Sequence, residues 1–372
     1  MVWKGSSEIS IAPARRRSVR RRLICWYRRV RRALPWRDTA DPYRIWVAEI
    51  MLQQTRVAAV LPYYERFLAR FPDVAALAAA GEDEVLAAWA GLGYYARARN
   101  LHQASRRIAA TGVFPRDYDS IRALPGVGRY TAAAIASIAF GLPCAVVDGN
   151  VLRVLARLTA EQGQIGAAAT RRRLEMVAQH LLDPRRPGEF NQALMELGAT
   201  VCLPKGPACA ACPLESDCEA RRRSLETELP RRRRAGPPLR ISKTLLLVEH
   251  EGKILLRRRD SGRLAGFWEL PEADEAPEAL AIGERGRFRH AITNHDFRLT
   301  VVEARLSRAP AGCHWISKAR LGTLPLATTA RKALALAWRA AAGPGASQPR
   351  APEKVTRHSP SRAGAAAAKR MR

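Results

Sequence analysis

The sequence predicts a multidomain chain in which an all-α domain is followed, across a linker, by an α+β domain. Two observations predict it. Before residue 240 the apolar residues recur at helical spacing, and no segment shows convincing strand alternation. At residues 222–241 the composition then shifts: the charge run Arg231–Arg234 and Gly236-Pro237-Pro238 mark a linker. Beyond it, short runs rich in apolar and β-branched residues read as strands. At 372 residues the chain is long enough for two such domains with tails, each burying a core of its own.

Residues 1–20 are polar and Arg-rich with little periodicity, and read as a disordered basic arm. A helix over 21–32 sets Leu23, Trp26, Tyr27 and Val30 on one side. Pro42 and Tyr43 open a second helix, with Ile45, Val47, Ile50, Met51 and Leu52 apolar. Helices are expected at 61–71, 74–80, 82–89 and 96–111, punctuated by Phe71-Pro72, Gly81, Gly91-Leu92-Gly93 and Gly112-Val113-Phe114-Pro115. A Gly126-Val127-Gly128 hairpin, a small-residue helix, a Gly141-Leu142-Pro143 turn and a helix opened by Asp148 follow. The first domain spans 21–221. Strands over 243–249, 253–257 and 297–304 and a helix over 329–341 make the second, at 242–341. Residues 342–372, with Gly, Pro, Ser, Arg and an Ala run, read as a disordered basic tail.

Charge narrows the function. Lys and Arg number 63 against 34 Asp and Glu, a formal charge of +29, which points to a polyanion such as nucleic acid. The abundance of Ala and Arg also fits a GC-rich genome. The basic N-terminus is not followed by an apolar run with a small-residue cleavage site. The longest apolar stretch, 132–147, is broken by Gly141 and Pro143, so it reads as a core helix and turn. A cytoplasmic, nucleoid-associated monomer of bacterial type, without a membrane partner, is expected.

Three motifs carry chemistry. Cys202, Cys209, Cys212 and Cys218 are spaced C-x6-C-x2-C-x5-C in a polar loop, and four thiolates there can close around zinc or a [4Fe–4S] cube. A single C-x2-C pair flanked by lone cysteines suits the cube better than the two close pairs usual for structural zinc. The hairpin glycines permit a tight turn and close backbone approach, and the next helix offers free N–H groups to a phosphate. Two carboxylates complete the set. Asp148 suits an N-cap and, beside the hairpin, chemistry as well. Glu49 lies in a largely apolar helical stretch, where a buried acid is costly unless partnered or neutral. Glycosidic cleavage needs two separate tasks, protonating the leaving group and stabilising a cationic sugar, and Glu49 and Asp148 would divide them.

In order, Glu49 in a Met-Leu-Gln-Gln-Thr helix, Gly91-Leu92-Gly93-Tyr94-Tyr95-Ala96-Arg97-Ala98-Arg99, the hairpin, Val147-Asp148-Gly149-Asn150 and the four-cysteine loop resemble the MutY-type adenine DNA glycosylases of the helix-hairpin-helix superfamily. The resemblance covers roughly residues 20–340. It implies a helix-hairpin-helix glycosylase domain with a [4Fe–4S] cluster and a C-terminal Nudix-like domain that recognises 8-oxoguanine. It implies a monofunctional hydrolase that removes adenine opposite 8-oxoguanine or guanine in double-stranded DNA. Lyase-type relatives carry a Schiff-base lysine where this chain has Tyr130.

By the same resemblance, Glu49 protonates adenine, Asp148 stabilises the sugar, and Tyr130 and Asn150 orient the pair. Arg37, Val57 and Gln192 line the adenine pocket. Gln54 with Thr55, Leu92, Tyr94 and Gly126-Val127-Gly128 contact DNA, Leu92 and Tyr94 from an exposed loop. Leu264-Ala265-Gly266-Phe267-Trp268-Glu269-Leu270-Pro271 fits the early part of a Nudix-like domain, but the acidic metal-binding helix of Nudix hydrolases is missing after Pro271. Binding without pyrophosphate hydrolysis follows. Where the family often has Phe-Ser-His, this chain has Ile292-Thr293-Asn294, with His295 next, so Thr293, Asn294 and His295 are the candidate 8-oxoguanine contacts.

Overall fold

The computed structural model describes residues 11–232, 236–292 and 294–341. Its first part is all helical: α1 (Pro13–Val30), α2 (Pro42–Leu52), α3 (Val57–Arg70), α4 (Val74–Ala79), α5 (Glu82–Trp89), α6 (Ala96–Thr111), α7 (Tyr118–Arg122), α8 (Arg129–Phe140), α9 (Gly149–Leu158), α10 (Ala168–Leu181), α11 (Pro187–Thr200) and α12 (Glu219–Arg222). Short polar side chains start several of them. Asp41, Asp73, Asp117 and Asp148 each accept a backbone N–H of the first turn of α2, α4, α7 and α9.

Two cores divide this part. One gathers Trp46, Met51, Phe67, Trp89 and Ile135 from α2, α3, α5 and α8. The other gathers Leu23, Val151, Leu155, Leu174, Phe190 and Leu197 from α1, α9, α10 and α11, with Cys202, Cys212 and Cys218 packed at its edge. Helix α8 bridges them, in contact with both α2 and α11. Its alanines permit this, since a Cβ on Gly188 of α11 would already stand 2.6 Å from the Ser137 carbonyl oxygen.

Three boundaries differ from the sequence expectation. Residues 13–20 are helical rather than part of a disordered arm. Arg15 donates to the Leu158 and Asp217 carbonyls and Ser18 to Asp217, contacts that pair residues far apart in sequence. Helix α3 starts at Val57 and runs through Pro62, which lies inside the helix beyond its first turn and leaves the Ala58 carbonyl without its i→i−4 donor. The front of the expected linker is docked: Leu229 is buried, its carbonyl accepts from Arg157 Nε at 2.9 Å, and the Arg231 carbonyl accepts from Ile165 N at 2.9 Å.

The second part is a mixed sheet of six strands: β1 (Leu239–His250), β2 (Lys253–Arg258), β3 (Trp268–Glu269), β4 (Leu280–Ile292), β5 (His295–Arg305) and β6 (Cys313–Ser317). The order is β3-β2-β1-β5-β4, with β6 on β2, and β1 and β5 run parallel. Helix α13 (Thr328–Ala341) covers one face, burying Leu334 and Ala337 against Leu247, Leu299 and Val301. Strands β3, β4 and β6 were not read from sequence. Edge strand β4 is largely exposed, and register shifts beside Gly283 and Gly286 break its alternation.

The sheet docks on the helices around one buried aromatic ring. Phe267 is 0% exposed and joins the first helical core, stacking on Tyr95 with ring centroids 3.6 Å apart. Around it, Arg331 donates to the Ala90 carbonyl at 3.1 Å, Arg99 donates to the Ala265 carbonyl, and Arg258 pairs with Asp83 at 2.7 Å. No described helix is long and apolar enough to cross a membrane.

Candidate active site

Glu49 sits in the last turns of α2, only 5% exposed among apolar neighbours. Its polar partner is Tyr130, in the first turn of α8, whose hydroxyl donates to Glu49 Oε2 at 2.7 Å and also approaches Met195 Sδ at 3.3 Å. Burial pushes the Glu49 carboxyl up to about 7. The Tyr130 hydrogen bond opposes the rise, the charge of Asp148 adds to it and that of Arg37 reduces it, so these four groups share one field. Burial, with Glu49 and Asp148 beside it, holds the Tyr130 phenol well above its usual range.

Asp148 is the N-cap of α9, accepting from Val151 N at 2.6 Å and from Asn150 Nδ2 at 3.1 Å. Burial raises its carboxyl, but those hydrogen bonds favour the charged form and oppose the rise. The two acids are thereby differentiated: Glu49 receives one neutral hydroxyl, whereas Asp148 is held by a helix N-terminus and an amide. Asn150 is itself fixed, accepting from Arg153 Nη2 at 2.8 Å, while Arg153 also donates to the Gly198 and Cys202 carbonyls at 2.8 Å. Gly198 makes room for this packing, for a Cβ there would stand 2.7 Å from Asn150 Cβ.

An open depression of about 400 Å³ lies beside Asp148, lined by Leu52, Gln54, Thr55, Asp148, Asn150 and Arg153, with Arg56 and Arg232 at its basic rim. Here the structure brings the Gln54-Thr55 turn to the catalytic candidates. The hairpin leads into the same α8 that carries Tyr130. Gly126 has φ of 73° and packs where a Cβ would stand 2.6 Å from Asn100, while Gly128 starts α8 with no side-chain cap. The first N–H groups of α8 are therefore open to an anion. Gly126 and Gly128 are exposed, and Val127 is buried in the first core.

The expected pocket residues are placed unevenly. Arg37 lies over the Tyr27 ring at 5.4 Å, and Tyr27 donates to Gln192 Oε1 at 3.1 Å, so Arg37 and Gln192 converge. Val57 opens α3 at the margin of the first core. Sequence reasoning missed Glu196, the acid that holds Arg37. Its Oε2 takes Arg37 and Arg32 at 2.6 Å each, and it is 1% exposed. Burial alone would raise the Glu196 carboxyl, but hydrogen bonds from Arg32 and Arg37 outweigh it and bring it to about 2. A Glu in an apolar helix was visible in the sequence, but its basic partners lie about 160 residues away.

Leu92 is a correction. It is 7% exposed within the first core, because the Gly91–Gly93 turn folds it inward, and only Tyr94, 42% exposed with φ of 49°, stands out from the loop. Of the C-terminal candidates, Thr293 lies outside the described residues, Asn294 is exposed between β4 and β5, and half-buried His295 stacks on Phe297 at 5.9 Å. After Pro271 the chain forms one 3-10 turn, Ala273–Glu275. Arg259 joins Glu269 at 2.8 Å, Glu272 at 3.3 Å and Glu275, taking up the local carboxylates.

The four cysteines line one small cavity with Val154, Leu158, Leu197, Val201 and Leu214. Arg157 Nη1 donates to Cys202 Sγ at 3.2 Å. Among the described residues no three His, Cys, Asp or Glu are drawn together as for a lone ion. Thiols around one cavity could hold a metal or cluster through Cys202, Cys209, Cys212 and Cys218.

Comparison with known proteins bears on the family and fold. Residues 47–179 match the HhH-GPD superfamily of base excision DNA repair proteins, and residues 243–336 match the NUDIX domain. The solved structure of a thermostable thymine-DNA glycosylase, 29% identical, superposes with a TM-score of 0.52 over 56% of this chain and 98% of that one. Fold and matches together define a helix-hairpin-helix base-excision glycosylase with a Nudix-like domain. Mouse adenine DNA glycosylase is 35% identical over 84% of this chain and 76% of its own length. Human adenine DNA glycosylase is 39% identical over 68% of this chain, which spans 57% of its length, and that of Mycolicibacterium smegmatis is 46% identical over 54% of this chain and 68% of its own. The chain belongs to the adenine DNA glycosylase family.

Proposed function

We propose that the protein acts as a monomer on duplex DNA and hydrolyses the N-glycosidic bond of adenine mispaired with 8-oxoguanine or guanine, leaving an abasic site. The observation that carries this reading is the buried Glu49, held by Tyr130 and raised to about 7, in the same field as the hydrogen-bonded Asp148. A base within a duplex is out of reach, so adenine is flipped into the site, and Tyr94 and Gln54 occupy the disturbed stack. Glu49 gives its proton to the base, and the C1′–N9 bond breaks with its electron pair leaving on adenine. Asp148 holds the cationic sugar until water adds at C1′, and Glu49 takes the proton the water loses. Tyr130 offers a phenol where a lyase has its amine, so no Schiff base forms and the strand is left intact.

Arg37 and Gln192, held by Glu196 and Tyr27, suit the edge of a purine. Cys202, Cys209, Cys212 and Cys218 would hold a [4Fe–4S] cluster, which would tie their loop to α9 and α11. The Nudix-like domain binds rather than hydrolyses; in support, Glu269, Glu272 and Glu275 beyond Phe267 are paired with Arg259. Asn294 and His295, with Thr293, would meet the 8-oxoguanine.

The test is purified protein with duplexes carrying adenine opposite 8-oxoguanine, guanine or thymine, alongside duplexes with oxidised pyrimidines. Alkali-dependent breakage at adenine opposite the first two, from protein with broad visible absorbance, is expected. Borohydride-trapped cleavage at a pyrimidine would replace this reading with a lyase.

A further inference from the structure

The geometry points to Arg97 as the positioning residue that makes the Gln53-Gln54 turn and the Gly91–Tyr95 loop one DNA-reading unit. Arg97 lies in the first turn of α6 and is 8% exposed. Its Nη1 donates to the carbonyls of Ile50 at 2.8 Å, Met51 at 2.9 Å and Gln53 at 2.6 Å. Its Nη2 donates to the carbonyls of Gly93 at 3.0 Å and Leu92 at 3.3 Å, and to Thr55 Oγ1 at 3.3 Å. The guanidinium also lies 5.4 Å from the Trp89 ring centroid and 5.7 Å from that of Tyr94.

The pattern is selective. Gln54 and Tyr94, the two exposed side chains expected to probe the stack, are both non-glycine residues in the left-handed region, with φ of 57° and 49°. Such residues persist only where their surroundings over-determine them. Arg97 grips the peptide carbonyl immediately before each one, Gln53 for Gln54 and Gly93 for Tyr94. Capping the C-terminus of α2 would account for the bonds to Ile50 and Met51. It does not account for the bonds to Leu92 and Gly93, or for the ring of Tyr94. The two planar-held Nη groups, with Nε left unpartnered, face two sets of carbonyls at once, which a single lysine ammonium cannot. Next along the loop, Tyr95 stacks on Phe267, so the clamped unit continues into the C-terminal domain.

This inference rests on Gln54 and Tyr94 being DNA probes, so the experiment separates the two ideas. In a Glu49→Gln background that binds without turnover, affinity is measured for duplexes with adenine opposite 8-oxoguanine and for fully paired duplexes. Arg97→Lys is expected to lower the ratio of the two affinities at least tenfold, with affinity for paired duplex and its salt dependence kept. Tyr94→Ala should lower the ratio similarly, and the double variant should lose no more than the larger single loss, as coupled residues do. A ratio preserved in Arg97→Lys but lost in Tyr94→Ala, or fully additive losses, overturns the role of Arg97. A ratio preserved in both Tyr94→Ala and Gln54→Ala overturns the probe reading beneath it. Hydrogen exchange of the wild-type protein supplies a measurement that needs no folded variant: segments 53–56 and 91–95 should open with one common protection factor. Protection factors differing tenfold or more would show two independent segments and end the proposal.

Discussion

Glu49 combines a structural cost with a chemical use. Its folded-state carboxyl is raised from 4.5 to about 7, so the folded protein prefers it protonated. Below the unfolded value both states carry the proton and nothing is lost; as pH rises through about 7, burying the charge costs up to about 3 kcal/mol. Glu49→Gln should therefore match the wild-type melting temperature near pH 4 and exceed it by several degrees at pH 8, as thermal unfolding read by circular dichroism would show. Glu196 has the opposite sign. Its carboxyl is lowered to about 2, so its contribution is present above 4.5 and lost as pH falls toward 2. Glu196→Gln leaves Arg37 buried without its counter-charge and should cost roughly 3–5 kcal/mol in urea unfolding at pH 7. The candidates Glu49 and Asp148 were legible in the sequence, Glu49 because an acid in an apolar helix is locally unusual and Asp148 because it opens a helix just after the hairpin and its small-residue helix. Glu196 and Arg97 were not, since their meaning lies in partners that only the tertiary fold brings to them.

At the scale of elements, the site depends on how closely α9 and α11 approach. Gly198→Ala places a Cβ 2.7 Å from Asn150 Cβ and must push α9 away. The expected cost is about 1–3 kcal/mol of stability, with at least a tenfold slower single-turnover excision, since Asn150 orients Asp148. An unchanged rate would show that Asp148 keeps its place without that packing. Helices α2, α5 and α6 were read closely because proline, glycine and apolar spacing mark their ends. The start of α1 was not, because its arginines look like a solvated arm until Arg15, Arg20 and Ser18 meet carbonyls and a carboxylate elsewhere. Leu92 was misread for a related reason: glycines mark a turn but do not say which way the residue between them points. Strand β4 was hidden by its glycines and its exposure at a sheet edge.

Over the whole molecule, the two domains meet at the buried stack of Tyr95 and Phe267. Phe267→Ala removes the ring that stacks on Tyr95 and should cost about 3–5 kcal/mol of docking. The expected sign is faster trypsin cleavage between the domains while each domain remains resistant; an unchanged digest would place the docking energy elsewhere. The two-domain order and the change of secondary structure near residue 240 were readable from composition, but the docking face was not, because Phe267 looks like part of the C-terminal core until it enters the helical one. The central claim is that Glu49 is the acid for adenine release. The most direct measurement is the single-turnover rate of adenine release opposite 8-oxoguanine across pH 5–9, for the wild type and Glu49→Gln. The wild-type rate should fall about tenfold per pH unit above pH about 7, while Glu49→Gln binds the duplex and releases no adenine. A rate that stays level to pH 9, or excision that survives in Glu49→Gln, would contradict the account.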